Sequence, residues 1–263
     1  MEAAWLAAGK SPNTIRLAHA TLRAALSQAV AWKLVERNEA TLVKAPPSPV
    51  EPMRALSAEE TARVLLAADK TRLAAFWHVA AACSLRRGEL LGLQWSDVDF
   101  VRETVSIQRQ VARHGGEWVV CEPKTKRSKR LVVLPEPVMA ALKAHRARQN
   151  AERRKAGPLW QGEEGWVFAD EVGRRVKKEA IDRAHVKLEA ASGVGHFRLH
   201  DLRHTGATLA LAAGVHPKIV QEMLGHSTVA MTLDRYSHVA ESMQREAAKA
   251  IGDLLERAKA ASS

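Results

Sequence analysis

Several residue types are scarce in this chain of 263 residues, and each scarcity excludes something. There is one tyrosine, Tyr236. There are two cysteines, Cys83 and Cys121, and they do not stand in a paired metal-ligand spacing. A reducing compartment disfavours a disulfide between them, so both read as small core residues. No apolar run approaches the roughly 20 residues that a membrane span needs. The N-terminus shows neither the apolar core nor the cleavage site of a signal peptide. Acidic residues are short as well: 29 Asp and Glu face 40 Lys and Arg, for a net charge of +11. A surplus of that size favours a polyanionic partner. With a membrane set aside, nucleic acid is the expected partner, and the expected location is cytoplasmic, on the nucleoid. The 46% of hydrophobic residues supplies a substantial core. The length suits one full domain plus a smaller piece.

The periodicity is mostly helical. Residues 11 to 37 put Ile15, Ala18, His19, Leu22, Leu26, Ala29 and Val30 on one face. The stretch "KAPPSPVEPM" then reads as a linker, because successive prolines remove donors and favour extended backbone. Ser57 and Glu60 have capping-box spacing at the next helix start. A further helix is predicted over about 71 to 82, with Leu73, Phe76, Trp77 and Ala80 facing inward, and "RRGELLGL" continues as a short helix. The period then changes. "ETVSIQRQVAR", "EWVVCEPK" after the Gly115-Gly116 turn, and "KRLVVLP" are predicted to form one three-stranded antiparallel sheet. Helical patterns return near Glu136 and Val176 and fill the chain from Asp201 on, with Gly214 and Gly225 at capping positions and Pro217 at a helix start. The fold class expected is mainly α with a small three-stranded antiparallel sheet, an α+β arrangement. The expected division is 1–44, a linker at 45–54, a main domain at 55–258 and a frayed tail at 259–263.

Residues 200 to 239 hold five histidines, two arginines and the single tyrosine. His200 and Arg203 share a helix face at i, i+3. His226 follows Gly225. Upstream, "SLRRGEL" supplies Arg86, Arg87 and Glu89, and the strand-connecting hairpin "PKTKRSKR" supplies five cations in seven residues. Arginines, a lysine, histidines and a phenol suit a phosphodiester. Guanidinium is planar, permanently charged and bidentate toward phosphate oxygens. A phenol is a weak nucleophile at neutral pH, but positive surroundings lower its pKa and a histidine can take its proton. A lysine crowded by arginines can protonate the leaving oxygen. Blander readings exist for each residue. Tyr236 falls on the apolar stripe Val239, Ala240, Met243 and Ala247 and taken alone reads as a core aromatic. Composition cannot separate Lys124, Lys126 and Lys129. His204 stands four residues after His200, which is also metal-ligand spacing, but Arg203 between them repels a cation. His216, before Pro217, reads as a helix start.

The ordered set "LRRGEL", "PKTKRSKRLVVLP", "HDLRHTGATL" and "LGHSTVAMTLDRYSHV" resembles the tyrosine recombinases, the phage-type integrases. The resemblance covers roughly residues 11 to 255. It implies the recombinase catalytic-domain fold and places the family order Arg, Lys, His-x-x-Arg, His, Tyr on Arg86, Lys124, His200, Arg203, His226 and Tyr236. It implies attack by Tyr236 on the scissile phosphate, a 3′-phosphotyrosyl link, and rejoining by a partner strand's 5′-hydroxyl. Neither ATP nor a metal is implied. Glu89, His204 and His238 become residues that steady the catalytic set. Arg87, Lys126, Arg127, Lys129, Arg130, Arg16 and Arg23 become contacts to double-stranded DNA. A homo-oligomer, a tetramer on synapsed sites, is implied for a full-length form. Two departures stand out. Residues 1–44 look like the second half of a helical core-binding domain, so the chain reads as N-terminally shortened. Ser84 stands where a glycine is common before "LRRGEL". Other readings compete: a truncated recombinase remnant that acts only as a DNA-binding protein, a basic DNA-binding regulator built on the Gly214 helix-turn-helix, and a type IB topoisomerase-like strand transferase.

Because Tyr236 is the only phenol, Tyr236→Phe is expected to abolish covalent attachment to a nicked suicide half-site. Non-covalent binding should persist. Denaturing electrophoresis of the two chains on that substrate checks this, and an adduct surviving in the variant would refute the assignment.

Overall fold

A computed structural model describes residues 5, 7–47, 54–123, 128–226, 228–230, 248 and 251–253. The chain divides into two compact units, residues 1–52 and 53–263. In the first unit, α1 (Pro12–Ala31) starts under a Ser11 cap, whose side chain accepts from the Thr14 N–H, with Pro12 in the first turn. Its apolar stripe buries Ile15 and His19, and His19 Nε2 lies 3.0 Å from the Ala40 carbonyl. Leu22, expected on that inner face, is exposed. The helix also stops at Ala31 rather than 37, and Lys33 takes a left-handed φ of 59°. The chain then folds back, and Asn38 Nδ2 donates to Arg23 O and Ser27 Oγ, each at 2.8 Å.

The second unit opens with α2 (Ala58–Asp69), whose Ser57–Glu60 capping box is formed in both directions. Then comes α3 (Ala74–Ala82), which is buried nearly all round: Ala75, Phe76, Trp77, Val79, Ala80 and Ala81 are all inside. The one-sided inner face expected from the sequence is too narrow, and Leu73 is a half-buried N-cap. Phe76 packs edge-on against Trp77 and Phe168 at 5.0 and 5.1 Å. Cys83 follows in the core, where burial pushes its thiol up to about 12. Cys121 is only half-buried.

A short helix α4 (Arg87–Leu91) leads into β1 (Val98–Asp99), β2 (Thr104–Ile107), β3 (Gln110–His114), β4 (Glu117–Cys121) and β5 (Arg130–Val133). A three-stranded antiparallel sheet is present, but its order is β1-β2-β5, and β3-β4 form a separate two-stranded ribbon. Val105 is paired with Val98 on one side and Val132 on the other. The expected long first strand breaks at Gln108–Arg109. Arg109 is anchored to Asp97 at 2.5 Å, and the missing side chains of Gly88 and Gly92 let the ribbon lie on α4. A Cβ on Gly88 would sit 2.5 Å from the Val111 carbonyl oxygen. The ribbon turns at Gly115-Gly116, both at positive φ, as a tight hairpin demands.

Helices complete the unit: α5 (Glu136–Ala156), α6 (Lys178–Ser192), α7 (Leu199–Ala212) and α8 (Pro217–Leu224). Among the described residues no helix is long and apolar enough to cross a membrane. The first half of α7 is enclosed, with Asp201 through Ala207 all buried. It lies against α3, and Gly206 makes that approach possible. A Cβ there would meet the Ala81 carbonyl oxygen at 2.5 Å and Ser84 Oγ at 2.8 Å.

Gly206→Ala should therefore lower stability by about 1–3 kcal/mol, the usual cost of overpacking a core. Urea denaturation of native and variant chains measures it. An unchanged midpoint would mean that the α3–α7 contact yields freely.

Candidate active site

The site is built around the C-terminal end of α8. The last carbonyls of a helix lack intrahelical partners and carry the negative end of its dipole. Here three arginines from three separate segments take them. Arg130 Nε, on β5, donates to Met223 O at 2.7 Å. Arg203 Nη2, on α7, donates to Leu224 O at 2.5 Å. Arg86 Nη2, just before α4, reaches Gly225 O at 3.4 Å. Gly225 then turns the chain with a left-handed φ of 63°, and His226 follows, buried. Gln221 braces the turn from inside: its amide donates to His226 O at 2.6 Å, and His226 N–H donates to Gln221 O at 3.1 Å.

Glu89 organises the arginines. Its side chain is 1% exposed. It accepts from Arg86 Nη1 at 2.8 Å and from the Arg86 backbone N–H at 2.9 Å. Arg130 grips the same carboxylate with both terminal nitrogens, at 3.1 and 2.9 Å. Burial pushes the Glu89 carboxyl pKa up. The Arg130 hydrogen bonds and charge, with the Arg86 N–H and charge, outweigh burial and hold it below the ordinary carboxylate value. Glu89 is thus hydrogen-bonded to Arg86 and to a second arginine, Arg130.

Arg203 is buried, with Nη1 also donating to Ser84 O. His200, one turn earlier on α7, is exposed. It opens on a cleft of about 350 Å³ with Arg87, Arg198 and Leu85. His204 is buried with its ring edge-on to that of His200 at 4.6 Å. Arg86 keeps 38% of its side chain accessible, so it can meet a ligand while Glu89 orients it. A second cleft, of about 470 Å³, is lined by Lys129, Arg130, Lys218, Gln221, Gly225 and His226 among others. The structure thus brings Arg86, Arg203 and His226 to one place. Lys124, Lys126, Arg127, Tyr236 and His238 lie outside the described residues.

The DNA-contact expectations divide. Arg16 and Arg23 are exposed on α1. Arg87 is partly tied to Asp182 at 3.2 Å, and Lys129 to Glu122 at 3.0 Å, both with accessible side chains. Arg130 is a correction. Its side chain is 7% exposed and engaged by Glu89, Met223 and Ser128, so it is not a surface contact. The hairpin's charge run disguised it: nothing in "KRSKR" marks one arginine as turned inward. His216 caps α8, with Nδ1 accepting from the Lys218 N–H at 3.1 Å, as its place before Pro217 suggested.

Ser84 carries a backbone conformation suited to the glycine common at this place. Its φ is 53°, in the left-handed region that favours glycine. The conformation aims its carbonyl at Arg203. Its hydroxyl is buried without a hydrogen-bond partner among the described residues.

Comparisons with known proteins agree on a family and a fold. The phage integrase family profile matches residues 54–243. A XerC-like tyrosine recombinase of Caldanaerobacter subterraneus subsp. tengcongensis is 33% identical over 94% of this chain and 67% of its own length. The integrase of Mycobacterium phage D29 is 34% identical over 95% of this chain and 65% of its own. The chain spans about two thirds of the length of these relatives. Among solved structures, the Tn1549 transposon integrase in complex with a circular intermediate DNA aligns over 90% of this chain and 80% of its own, with a TM-score of 0.74 at 23% identity. A lambda integrase dimer bound to a core site aligns over 89% of this chain and 61% of its own, with a TM-score of 0.58 at 18% identity. The fold is therefore that of an integrase catalytic domain. The chain belongs to the phage integrase family, the tyrosine recombinases.

Ser84→Gly is expected to stabilise the chain by about 1 kcal/mol. It relieves roughly 1–2 kcal/mol of left-handed strain and a buried unpaired hydroxyl, against roughly 0.5–1 kcal/mol of added backbone entropy. Thermal and urea unfolding of the pair would show it; a destabilised variant would mean that the hydroxyl makes a contact worth more than the strain.

Proposed function

We propose that this chain carries out the cleavage and rejoining steps of site-specific DNA recombination. The observation that carries this reading is the gathering of Arg86, Arg203 and His226 at the end of α8. Arg86 and Arg203 hold the non-bridging oxygens of the scissile phosphate. His226 donates a hydrogen bond to the same group. Tyr236 attacks phosphorus, and its proton passes toward His200. The P–O5′ bond breaks, Lys124 supplies the proton for the leaving oxygen, and a 3′-phosphotyrosyl link remains. Rejoining runs the same exchange backwards with a 5′-hydroxyl from the partner strand. One phosphodiester is traded for another, so the exchange is close to energy-neutral and consumes no nucleotide.

The +11 charge supports double-stranded DNA as partner, as do the DNA complexes of the Tn1549 and lambda integrases. Exposed Arg16, Arg23 and Lys129 and half-buried Arg87, with Lys126 and Arg127, are the proposed backbone contacts. Glu89 and His204 support the catalytic groups from inside, with His238 assigned beside Tyr236. Synapsis by a homo-oligomer, a tetramer on paired sites, is the proposed assembly. The proposed division keeps 55–258 as the catalytic part and 1–44 as a helical DNA-gripping part. A DNA-binding regulator is disfavoured because it has no need of Arg86 held beside the end of α8 by a buried Glu89. A type IB topoisomerase is disfavoured by the relatives.

Arg86→Ala and Arg203→Ala should each slow single-turnover cleavage of a suicide half-site by about two to five orders of magnitude, the range for oxyanion donors and arginine fingers. Quenched-flow rates on the folded variants provide the check. A loss below tenfold would remove these residues from the phosphate.

A further inference from the structure

The arginine displaced from the DNA surface has a different task. Arg130 spends Nε on Met223 O at 2.7 Å, Nη1 on Glu89 Oε1 and Ser128 O at 3.1 Å each, and Nη2 on Glu89 Oε2 at 2.9 Å. Three segments are joined by one planar group: β5 itself, the start of α4, and the end of α8. Two of the three lead directly to residues of the proposed clamp. Glu89 holds Arg86 by side chain and backbone. Met223 lies three residues before His226, and the turn between them is packed on Arg130. A Cβ on Gly225 would sit 3.2 Å from Arg130 Nη1.

Charge adds a second argument. With one guanidinium beside it, the buried Glu89 carboxylate would neutralise Arg86. With two, the cluster of Arg86, Glu89 and Arg130 carries a net charge of one positive unit. Arg130 is 7% exposed and Arg86 is 38% exposed, so the surplus is presented through Arg86.

We propose that Arg130 is a positioning residue for the strand-transfer reaction. It satisfies Glu89 so that Arg86 keeps its charge for the phosphate, and it fixes the end of α8 so that His226 is aimed at the same phosphate. This rests on the recombinase reading above. A lysine cannot replace it, because the work depends on a rigid fork of donors rather than on charge alone.

The test uses the full 263-residue chain with Arg130→Met and Arg130→Lys. Arg174→Met, which removes an exposed ion pair to Asp170, serves as control. Three readouts are taken: covalent adduct rate on a suicide half-site, non-covalent DNA affinity at fixed salt, and the NMR signals of the His226 ring and the Arg86 Nε–H. Both Arg130 variants should lose about 10- to 100-fold in adduct rate, the scale for residues that orient catalytic groups. DNA affinity should fall far less than the adduct rate, since the Arg130 donors are spent on Glu89, Met223 and Ser128. The His226 and Arg86 signals should move in both variants and stay in place in Arg174→Met. A folded Arg130→Lys chain with the native adduct rate would overturn the proposal. If the native chain forms no adduct, the recombinase reading fails, and the NMR comparison decides alone: unmoved signals overturn the positioning role. Should the methionine variant fail to fold, the lysine variant decides. If neither folds, Arg130 is a folding residue and the proposal falls.

Discussion

A single buried carboxylate holds this end of the molecule together. Glu89 is 1% exposed, and an isolated charge at that depth would be prohibitively costly. It is tolerated because two guanidiniums and one backbone N–H donate to it. The same bonds register α4 against β5 and, through Arg130, against the end of α8. Arg86 inherits its orientation from this arrangement, and His226 inherits its place. Replacing the cluster with apolar residues could preserve packing, as buried ion pairs elsewhere allow, but nothing would then aim the arginine.

Much of this was legible in sequence, and the parts that were not share a cause. Local signals read true. The Ser57–Glu60 capping box, the Pro217 helix start and the Gly225 cap each depend on residues within four positions of one another. Arg86, Arg203 and His226 were legible through a family pattern, not through periodicity. Arg130 was not, because its direction is decided by Glu89, 41 positions away, and by a helix end 93 positions away. The strand assignment failed for a similar reason. "ETVSIQRQVAR" alternates cleanly, yet Arg109 is claimed by Asp97 and the chain bends there. The first helix was overrun to 37 because no proline or glycine marks its end; a lysine in left-handed conformation does.

Strain and burial sit close to the clamp. Ser84 holds a conformation that glycine adopts freely, and its carbonyl meets Arg203. Arg203 is enclosed, whereas His200, one turn away on the same helix, is open to solvent. The two residues of the His-x-x-Arg motif therefore face different surroundings. One is fixed by backbone carbonyls on α8 and before α4, and the other stands at the mouth of a cleft. The buried side of this helix backs the end of α8, where Arg203 meets the Leu224 carbonyl.

The three arginines that close the end of α8 come from positions 86, 130 and 203, and the helix they close ends at 224. No local stretch of chain can make that junction. During synthesis, earlier segments emerge and collapse first, while contacts this distant in sequence form late. In a nascent chain that ends before α8, Arg86, Arg130 and Arg203 have no helix end to close. Long sequence separation thus works as a timer: the junction that carries the proposed phosphate contacts arises only after the chain has been made through α8.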